Sequence, residues 1–552
     1  MNPITAELKL EKKTIILSLI IISTISLLLK LYLVDFSIPI HNDNLEYALF
    51  AIAHNNGDFS QSAHRGMGWS IFVSFFYNFI DSENFLDYSN VIRIISIGIS
   101  LSSISMMYLL GRKFFDPRYS LILASLFAFE PHLNYNSGLG LAESFFILIL
   151  ISSFYFVLNK NTQTIILSLA LAGIAYWIRL NGFFALIVIT VIYFITLGKT
   201  KHAIRNYLIG LSIFLIIIAP VLLDRNDQFG DPFYSIYSGT IFSGDYNLLL
   251  SEIGENENYS AFGYIEKNGT LAFIETFIIN GIVNELHLLS TLSFPYLFIL
   301  IPFGILFSFR AFDQNKNFIR ANWIHILLSL AFVTIILAVV PERRFLFHIL
   351  PFLMIFSVIP IQRVTEYGLS TFSFSRKQKD LFLIIIIIIV IILSGFFTLR
   401  YDKLDGELEN EKLDFSNYAL TNLNGVTLRD FGGSLDYVLF LQVTSSEDFK
   451  TYKINQDIDQ NNKFSDITLQ NYETLELFIK NAQKYNLKYL ISNEMDTGMS
   501  PLIDGLYSNH QKYPFLKKIF DSDSEGYKKL KIKVFEIDYN SFEKNLIAES
   551  NP

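Results

Sequence analysis

Four stretches of this chain hold residue types that can do chemistry, each beside long apolar sequence. The first, His41-Asn-Asp-Asn-Leu-Glu-Tyr47, sets Asp43, Glu46 and Tyr47 at i, i+3 and i+4, on one helical face. A carboxylate held there can act as general base for a substrate hydroxyl, with Glu46 and Tyr47 orienting it. The same spacing also suits a helix start, with Asp43 or Asn44 as N-cap and Glu46 in the first turn. The second, His64-Arg-Gly-Met-Gly-Trp69, puts His64 and Arg65 beside flexible glycines, where they can hold an anionic headgroup. Its structural alternative is a snorkelling arginine and an interfacial tryptophan.

The third stretch runs from Phe129 to Glu143 and carries Glu130, His132 and Glu143 at or inside the expected membrane boundary. Ionisable groups at that depth are expensive, which makes them candidates for function. Glu143 is the sharpest, because an apolar run follows it immediately; a hydrogen bond to a neighbouring helix is the alternative. The fourth pairs Trp177-Ile-Arg-Leu-Asn181 with Pro341-Glu-Arg-Arg-Phe-Leu-Phe-His-Ile-Leu-Pro351. Arg179, Arg343, Arg344 and His348 then lie at helix ends on a face with few other basic residues. Bidentate contacts to a phosphate would explain them, as would pairing with Glu143, Glu342 or Asp43.

Other chemistries are missing from the sequence. There is no Gly-rich P-loop, no His-Glu-x-x-His and no nucleophile elbow. With no cysteine in the chain, thiolate nucleophiles, disulfides and Cys-ligated metals are excluded. A net charge of −8 argues against nucleic acid as a partner.

The elements that must position these residues are membrane helices. Of 552 residues, 51% are hydrophobic and only 17% charged, against roughly 25% charged in soluble domains. Apolar runs predict about eleven spans, near residues 13–34, 90–110, 119–133, 142–158, 164–178, 183–198, 205–222, 291–309, 322–340, 345–362 and 381–398. The apolar segment 69–80 is short and reads as interfacial or re-entrant. No cleavable signal peptide is evident, and Lys9, Lys12 and Lys13 precede the first span. Arg112, Lys113, Arg118, Lys160, Lys199, Lys201, Arg205, Arg310, Lys316, Arg320, Arg363, Arg376, Lys377 and Lys379 fall in loops on one side. The positive-inside rule makes that side cytoplasmic, together with the N-terminus.

Residues 1–399 thus read as a transmembrane domain with external loops 35–89 and 223–290, and residues 400–552 as an extracytoplasmic soluble domain. Two glycosylation acceptor patterns, at Asn258 and Asn268, fall in the second loop. In the soluble domain, helical spacing over 474–485 and short strands at 487–491 and 531–537 predict a small α/β fold. It carries most of the chain's negative charge and no catalytic motif, so it reads as a structural or acceptor-presenting cap.

The order of these features resembles the glycosyltransferase C superfamily over roughly residues 10–400, in particular its protein O-mannosyltransferase and aminoarabinose-transferase branch. The resemblance rests on Asp43 with Tyr47 four residues on and on Gly111-Arg-Lys-Phe-Phe-Asp116. It rests also on the turn from Pro131 to Ala142-Glu143, Arg179, Phe229-Gly-Asp-Pro-Phe233, and Arg344 to Pro351. It implies inverting transfer of a sugar from a polyprenyl-phosphate donor, with Asp43 as base. Glu143, Glu46, Tyr47 and His132 would orient sugar or acceptor. Arg344, with Arg343, Arg179, His64, Arg65 and His348, would steady the departing lipid phosphate. The implied partners are the lipid-linked sugar, membrane lipids, and a protein, glycan or lipid acceptor, in a plasma membrane. Asp43-Asn44 departs from the Asp-Glu of many relatives, which bears on the acceptor class. The oligosaccharyltransferase branch is disfavoured: there is no Trp-Trp-Asp-Tyr-Gly, and the first loop lacks an Asp-x-Asp pair, so no metal is implied. A transporter of a lipid-linked or anionic substrate, or a non-catalytic membrane scaffold, are the alternatives.

Overall fold

The computed structural model describes residues 12–550 apart from 64, 160, 162, 199, 236–238, 245–258, 310–315, 403–404, 429–432, 446–448, 455–463, 466–471, 473 and 495–500. His64, Lys160, Lys199, Asn258 and Arg310 lie outside the described residues.

The membrane domain is an α-helical polytopic bundle. Its helices are α1 (Lys12–Leu33), α2 (Asn42–Asn55), α3 (Gly68–Tyr77), α4 (Phe85–Phe114), α5 (Pro117–Ala128), α6 (Pro131–Ser137), α7 (Glu143–Val157), α8 (Thr164–Ile178), α9 (Phe184–Leu197) and α10 (Ala203–Phe229). They continue with α11 (Thr270–Leu292), α12 (Leu297–Ser308), α13 (Lys316–Val339), α14 (Leu350–Arg363) and α15 (Arg376–Phe397). Helices α1, α4, α10, α11, α13 and the segment beginning with α15 are long and apolar enough to cross a bilayer. Leucines and isoleucines on α1, α10 and α15 stay exposed on their outer faces, as lipid-facing residues do, whereas α5 and α14 are buried almost all round. The interior is one continuous apolar core running from Ile22 to Phe449.

Helix starts are written locally. Asp116 caps α5 ahead of Pro117, and Glu130 caps α6 ahead of Pro131, where proline's missing N–H costs nothing. Glu130 is therefore a cap: its Oε2 accepts from the Leu133 N–H at 2.6 Å. Helix α3, ten residues long, forms where a short apolar segment is expected. At 1.5 Å per residue it rises only about 15 Å, half a hydrocarbon core.

Helix α11 occupies residues 270–292, within and just beyond the loop expected over 223–290. Asn280, Gly281, Asn284, Glu285 and His287 interrupt the apolar run there, so hydropathy hides the helix. Asn284 and Glu285 face the bundle, while Asn280 and His287 stay exposed. Asn284 donates to the Leu337 carbonyl, and the Thr334 hydroxyl donates to Glu285 at 2.8 Å. The ends of α11 sit at one end of the bundle: Phe277 packs against Val339 and Val340, and the Thr291 backbone is hydrogen-bonded to His132. Helix α11 thus lies across that end, although its length would allow it to cross.

The C-terminal domain begins with α16 (Gly406–Asn422) and holds a five-stranded sheet. The strands are β1 (Val426–Leu428), β2 (Phe464–Ser465), β3 (Leu487–Asn493), β4 (Leu516–Asp521) and β5 (Ile532–Ile537), in the order β2-β1-β3-β5-β4. Strands β2, β1 and β3 run parallel, while β5 is antiparallel to β3 and β4. Helix α17 (Leu475–Ala482), capped by Thr474, buries Leu475, Phe478, Ile479 and Ala482 against the sheet.

Candidate active site

Helices α1, α5, α8 and α13 end, and α7, α9 and α14 begin, at the same end of the bundle as α2 and the C-terminal domain. The sequence-predicted residues converge there. Arg65 Nη2 donates to Asp43 Oδ1 at 2.6 Å, and Arg344 Nη1 donates to Asp43 Oδ2 at 2.5 Å. Arg65 Nε also reaches Glu46 at 2.5 Å. Arg344 makes two further bonds to Glu342 Oε2, at 2.9 and 2.6 Å. The outcome is an alternating chain, Glu46–Arg65–Asp43–Arg344–Glu342, with Asp43 at its centre. Burial pushes the Asp43 carboxyl up, but the two guanidiniums pull harder and hold it well below the usual carboxylate range. Arg344 is raised in turn: desolvation opposes its charge and is outweighed by Asp43 and Glu342.

The elements explain the placement. Asp43 stands in the first turn of α2, where the helix dipole favours an anion. Arg65 lies over the ring of buried Tyr47, 5.1 Å from its centroid. Gly66 and Gly68 pack on the end of α8. A Cβ at either would come within 2.6–2.9 Å of Trp177 or Ile178 atoms, so these glycines serve close approach where the sequence suggested flexibility. Trp69 is fully buried and donates to the Gly140 carbonyl at 2.9 Å, which removes it from any aromatic belt.

A second ion pair lies alongside. Arg179 Nη1 donates to Glu143 Oε1 at 2.5 Å, and the Glu143 side chain is only 5% exposed. Glu143, Arg179, Asn181, Arg344 and His348 line one recess together with three apolar side chains. Arg344 therefore belongs both to the charged chain and to the recess.

Asp43, Glu46, Tyr47, Arg65, His132 and Arg343, all expected at the site, do not line that recess, and Asp43 and Arg65 reach it only through Arg344. Glu46 is turned to Arg65. His132 is buried beneath the site, bonded to the Thr291 backbone and edge-on to Phe397 at 5.5 Å. Arg343 is exposed, in the 3-10 turn Arg343–Leu346. Among the described residues, no group of three or more His, Cys, Asp or Glu is arranged to hold a metal ion.

Sequence reading missed two things. Asn181 joins the recess, two residues after Arg179, where a helix-end polar residue had no distinguishing signal. The larger omission is the C-terminal domain's grip on α2. Before Asp43, Asn42 has φ +49° and donates to Asp436 at 2.8 Å, and the His41 ring packs against Tyr437 at 4.9 Å. Tyr437 is itself bonded to Glu409 at 2.7 Å. At the other end of α2, Asn56 donates to the Lys450 carbonyl, and Asp58 accepts from the Ile454 N–H at 2.8 Å. Both ends of the helix that carries Asp43 are thus held by residues 409–454.

Comparison with known proteins places this geometry. Residues 76–223 match the family model for dolichyl-phosphate-mannose-protein mannosyltransferase. That stretch includes Glu143, Arg179 and Asn181 but ends short of Asp43, Arg65 and Arg344 at either side. No curated protein matches the sequence. Among solved structures, the oligosaccharyltransferase of Archaeoglobus fulgidus in the apo form is similar at TM-score 0.55 and 14% identity, over 88% of this chain and 70% of that one. Archaeal AglB from the same organism, in complex with an inhibitory peptide and a dolichol-phosphate, gives 0.53 at 14% identity, again over 88% and 70%. ArnT from Cupriavidus metallidurans bound to undecaprenyl phosphate gives 0.51 at 10% identity, over 95% of this chain and 98% of that one. The chain is an integral membrane protein with the glycosyltransferase C fold, resembling the mannosyltransferase and ArnT branch. The oligosaccharyltransferase branch, whose motifs the sequence lacks, shares that fold.

Proposed function

We propose that this chain, with the fold of the membrane glycosyltransferases, transfers a sugar from a polyprenyl-phosphate donor to an acceptor on the extracytoplasmic side of the plasma membrane, with inversion. The observation that carries the reading is Asp43 held between Arg65 and Arg344 at the rim of a recess. A base and phosphate-binding cations are the two parts such a transfer requires.

In the proposed step the acceptor hydroxyl oxygen attacks the anomeric carbon from the side opposite the phosphate. Its proton passes to Asp43. The bond from the anomeric carbon to the phosphate oxygen breaks, and its electron pair leaves with the polyprenyl phosphate. Arg344, with Arg179 behind it, stabilises the charge that develops there. Mannose is the sugar the family match favours, and a protein, glycan or lipid can serve as acceptor.

Arg344 has a second part in this reading. A carboxylate paired with two guanidiniums is a weak base. A donor phosphate that draws Arg344 toward itself weakens the Arg344–Asp43 pairing. Asp43 then regains basicity when a donor is in place, which limits idle turnover.

The test is transfer from a panel of radiolabelled polyprenyl-phosphate sugars by purified protein beside its Asp43→Asn variant. Transfer or donor hydrolysis by the wild type, lost in the variant, supports the reading. No turnover by folded wild-type protein across donors and acceptors refutes it.

A further inference from the structure

Arg225, near the end of α10, is fully buried, and the mechanism above gives it no part. Its guanidinium serves backbone carbonyls. Nε donates to the Tyr234 carbonyl at 2.9 Å, Nη2 donates to the same oxygen, and Nη1 donates to the Ser62 carbonyl at 3.0 Å. The Phe229 ring lies under it, 5.4 Å away at its centroid. Gln228, on the same helix end, accepts from the Gln61 N–H at 3.0 Å through its Oε1. The end of α10 thus grips two successive residues, Gln61 and Ser62, both buried.

The gripped segment needs support from outside. From Asp58 to Ser62 the chain forms neither helix nor strand, so no ladder fixes its backbone and its polar groups must find other partners. Three elements supply them. The C-terminal domain holds Asp58 through the Ile454 N–H. The end of α10 holds Gln61 and Ser62, and the end of α8 receives Gly66. Gln61 Nε2 also donates to the Met67 sulfur, which closes the segment on itself. Arg65 lies between the last two of these pins, within a reach of about 10 Å from Ser62.

Arg65 is demanding about where its backbone lies. Its Nε meets Glu46, its Nη2 meets Asp43, and its guanidinium covers the Tyr47 ring. A planar fork serves two carboxylates at once only from a narrow range of positions. A backbone displacement of about 1 Å loses the alignment those bonds need. We infer that Arg225 and Gln228 are positioning residues: by fixing the backbone at Gln61 and Ser62 they set Arg65 against Asp43 and Glu46, and so orient the proposed base. The inference rests on Asp43 as base and adds two residues that act through Arg65. The same guanidinium holds Tyr234, so the turn that follows α10 is part of this support.

The experiment measures kcat, and kcat/KM against pH, for purified full-length protein and its variants with a radiolabelled polyprenyl-phosphate sugar. Burial raises the Asp43 carboxyl, and Arg65 and Arg344, backed by Glu46 and Glu342, outweigh it. Losing the Arg65 contact raises that carboxyl, so the acid limb moves to higher pH, by about one unit in Arg65→Gln. Arg225→Lys keeps the charge, but one ammonium cannot span both carbonyls. It should move the limb in the same direction and lower kcat by about three- to tenfold. Gln228→Leu, at an exposed position, should do the same to a smaller extent, and Gln228→Glu, which keeps an acceptor oxygen, should restore the wild-type limb. In the Arg65→Gln background, Arg225→Lys should change neither limb nor kcat further.

Effects of Arg65→Gln and Arg225→Lys that multiply overturn the inference. So does a wild-type limb in folded Arg225→Lys or, should that variant not fold, in Gln228→Leu. If Asp43→Asn abolishes transfer in the same assay, the base reading survives either failure. Transfer that persists in Asp43→Asn, or its absence in the wild type, refutes the base reading and this inference with it.

Discussion

Asp43 and Arg344 are separated by 301 positions in the chain and by 2.5 Å in space. The first stands at the start of α2 and the second in the turn between α13 and α14, so only the folded bundle makes the pair. Replacing Asp43 with asparagine keeps the shape and removes the proton acceptor. Transfer should fall by about 10²–10⁴-fold, with a smaller loss of thermal stability from the two weakened ion pairs, as radiolabel transfer and a melting curve would record.

Arg344→Gln should act in two ways. Loss of a charge that stabilises the leaving phosphate should lower kcat by roughly 10²-fold. Losing one of the two cations that lower Asp43 should also raise that carboxyl's pKa. Because the folded-state pKa lies below the unfolded value, wild-type Asp43 stays ionised, and its pairing contributes stability, at any pH above the ordinary carboxylate range. That contribution is lost only as pH falls through the depressed value. In kcat/KM profiles the acid limb of the variant should therefore lie at higher pH than that of the wild type. Superimposable acid limbs would argue against Asp43 as the base.

The Arg179–Glu143 pair predicts a stability effect of a different kind. Removing Glu143 leaves the Arg179 guanidinium, 21% exposed, without its nearly buried partner, and cutting one partner of such a pair costs more than the pair contributes. Glu143→Leu should destabilise by about 2–3 kcal/mol, whereas Glu143→Leu with Arg179→Met should recover part of the loss. Thermal unfolding of the two single variants and the double variant would measure the coupling.

Asp436 gives a prediction about position. Its carboxylate holds Asn42, immediately before Asp43, although it belongs to the C-terminal domain, 92 residues after Arg344 in the chain. Asp436→Ala should lower kcat by about tenfold through misplacement of the base, leaving donor KM near the wild-type value. A substitution at exposed Lys484, in the 3-10 turn that follows α17 in the same domain, should leave transfer unchanged. Equal effects of the two would mean that Asp436 acts only through domain stability.

Much of the membrane domain was legible because lipid writes a simple rule into sequence. Lys12–Leu33 and Arg376–Phe397 are long apolar runs and form long helices. Thr474 to Ala482 and Lys531 to Ile537 carry the periodicities of the helix and strand they become. Helix α11 was illegible because polar residues on both its buried and its exposed faces, Glu285 within and Asn280 and His287 without, interrupt the apolar run, so its average falls. The charged residues of the site were legible as types out of place: Asp43, Arg65, Glu143, Arg179 and Arg344 all fall at helix ends and do meet. Pairing of Arg179 and Arg344 with Glu143, Glu342 and Asp43 was one of the two readings the sequence offered, and it is realised; the Arg65–Asp43 bond was not legible, since nothing local distinguishes it from Arg65 with any other acid. His132, equally conspicuous in sequence, bonds to the Thr291 backbone instead. The role of residues 409–454 was invisible, because a carboxylate that clamps a distant helix looks like one that solvates a surface.

The clamp has a consequence for the order in which the molecule comes into being. When residues 1–399 have left the ribosome, every proposed catalytic group exists and none of the contacts that hold α2 from outside does. Asn42, in its left-handed conformation, waits for Asp436, and Asn56 and Asp58 wait for the segment at 450–454. Competence therefore arrives late, after the C-terminal domain has folded onto α2, and a chain released early carries the proposed groups without the contacts that aim them.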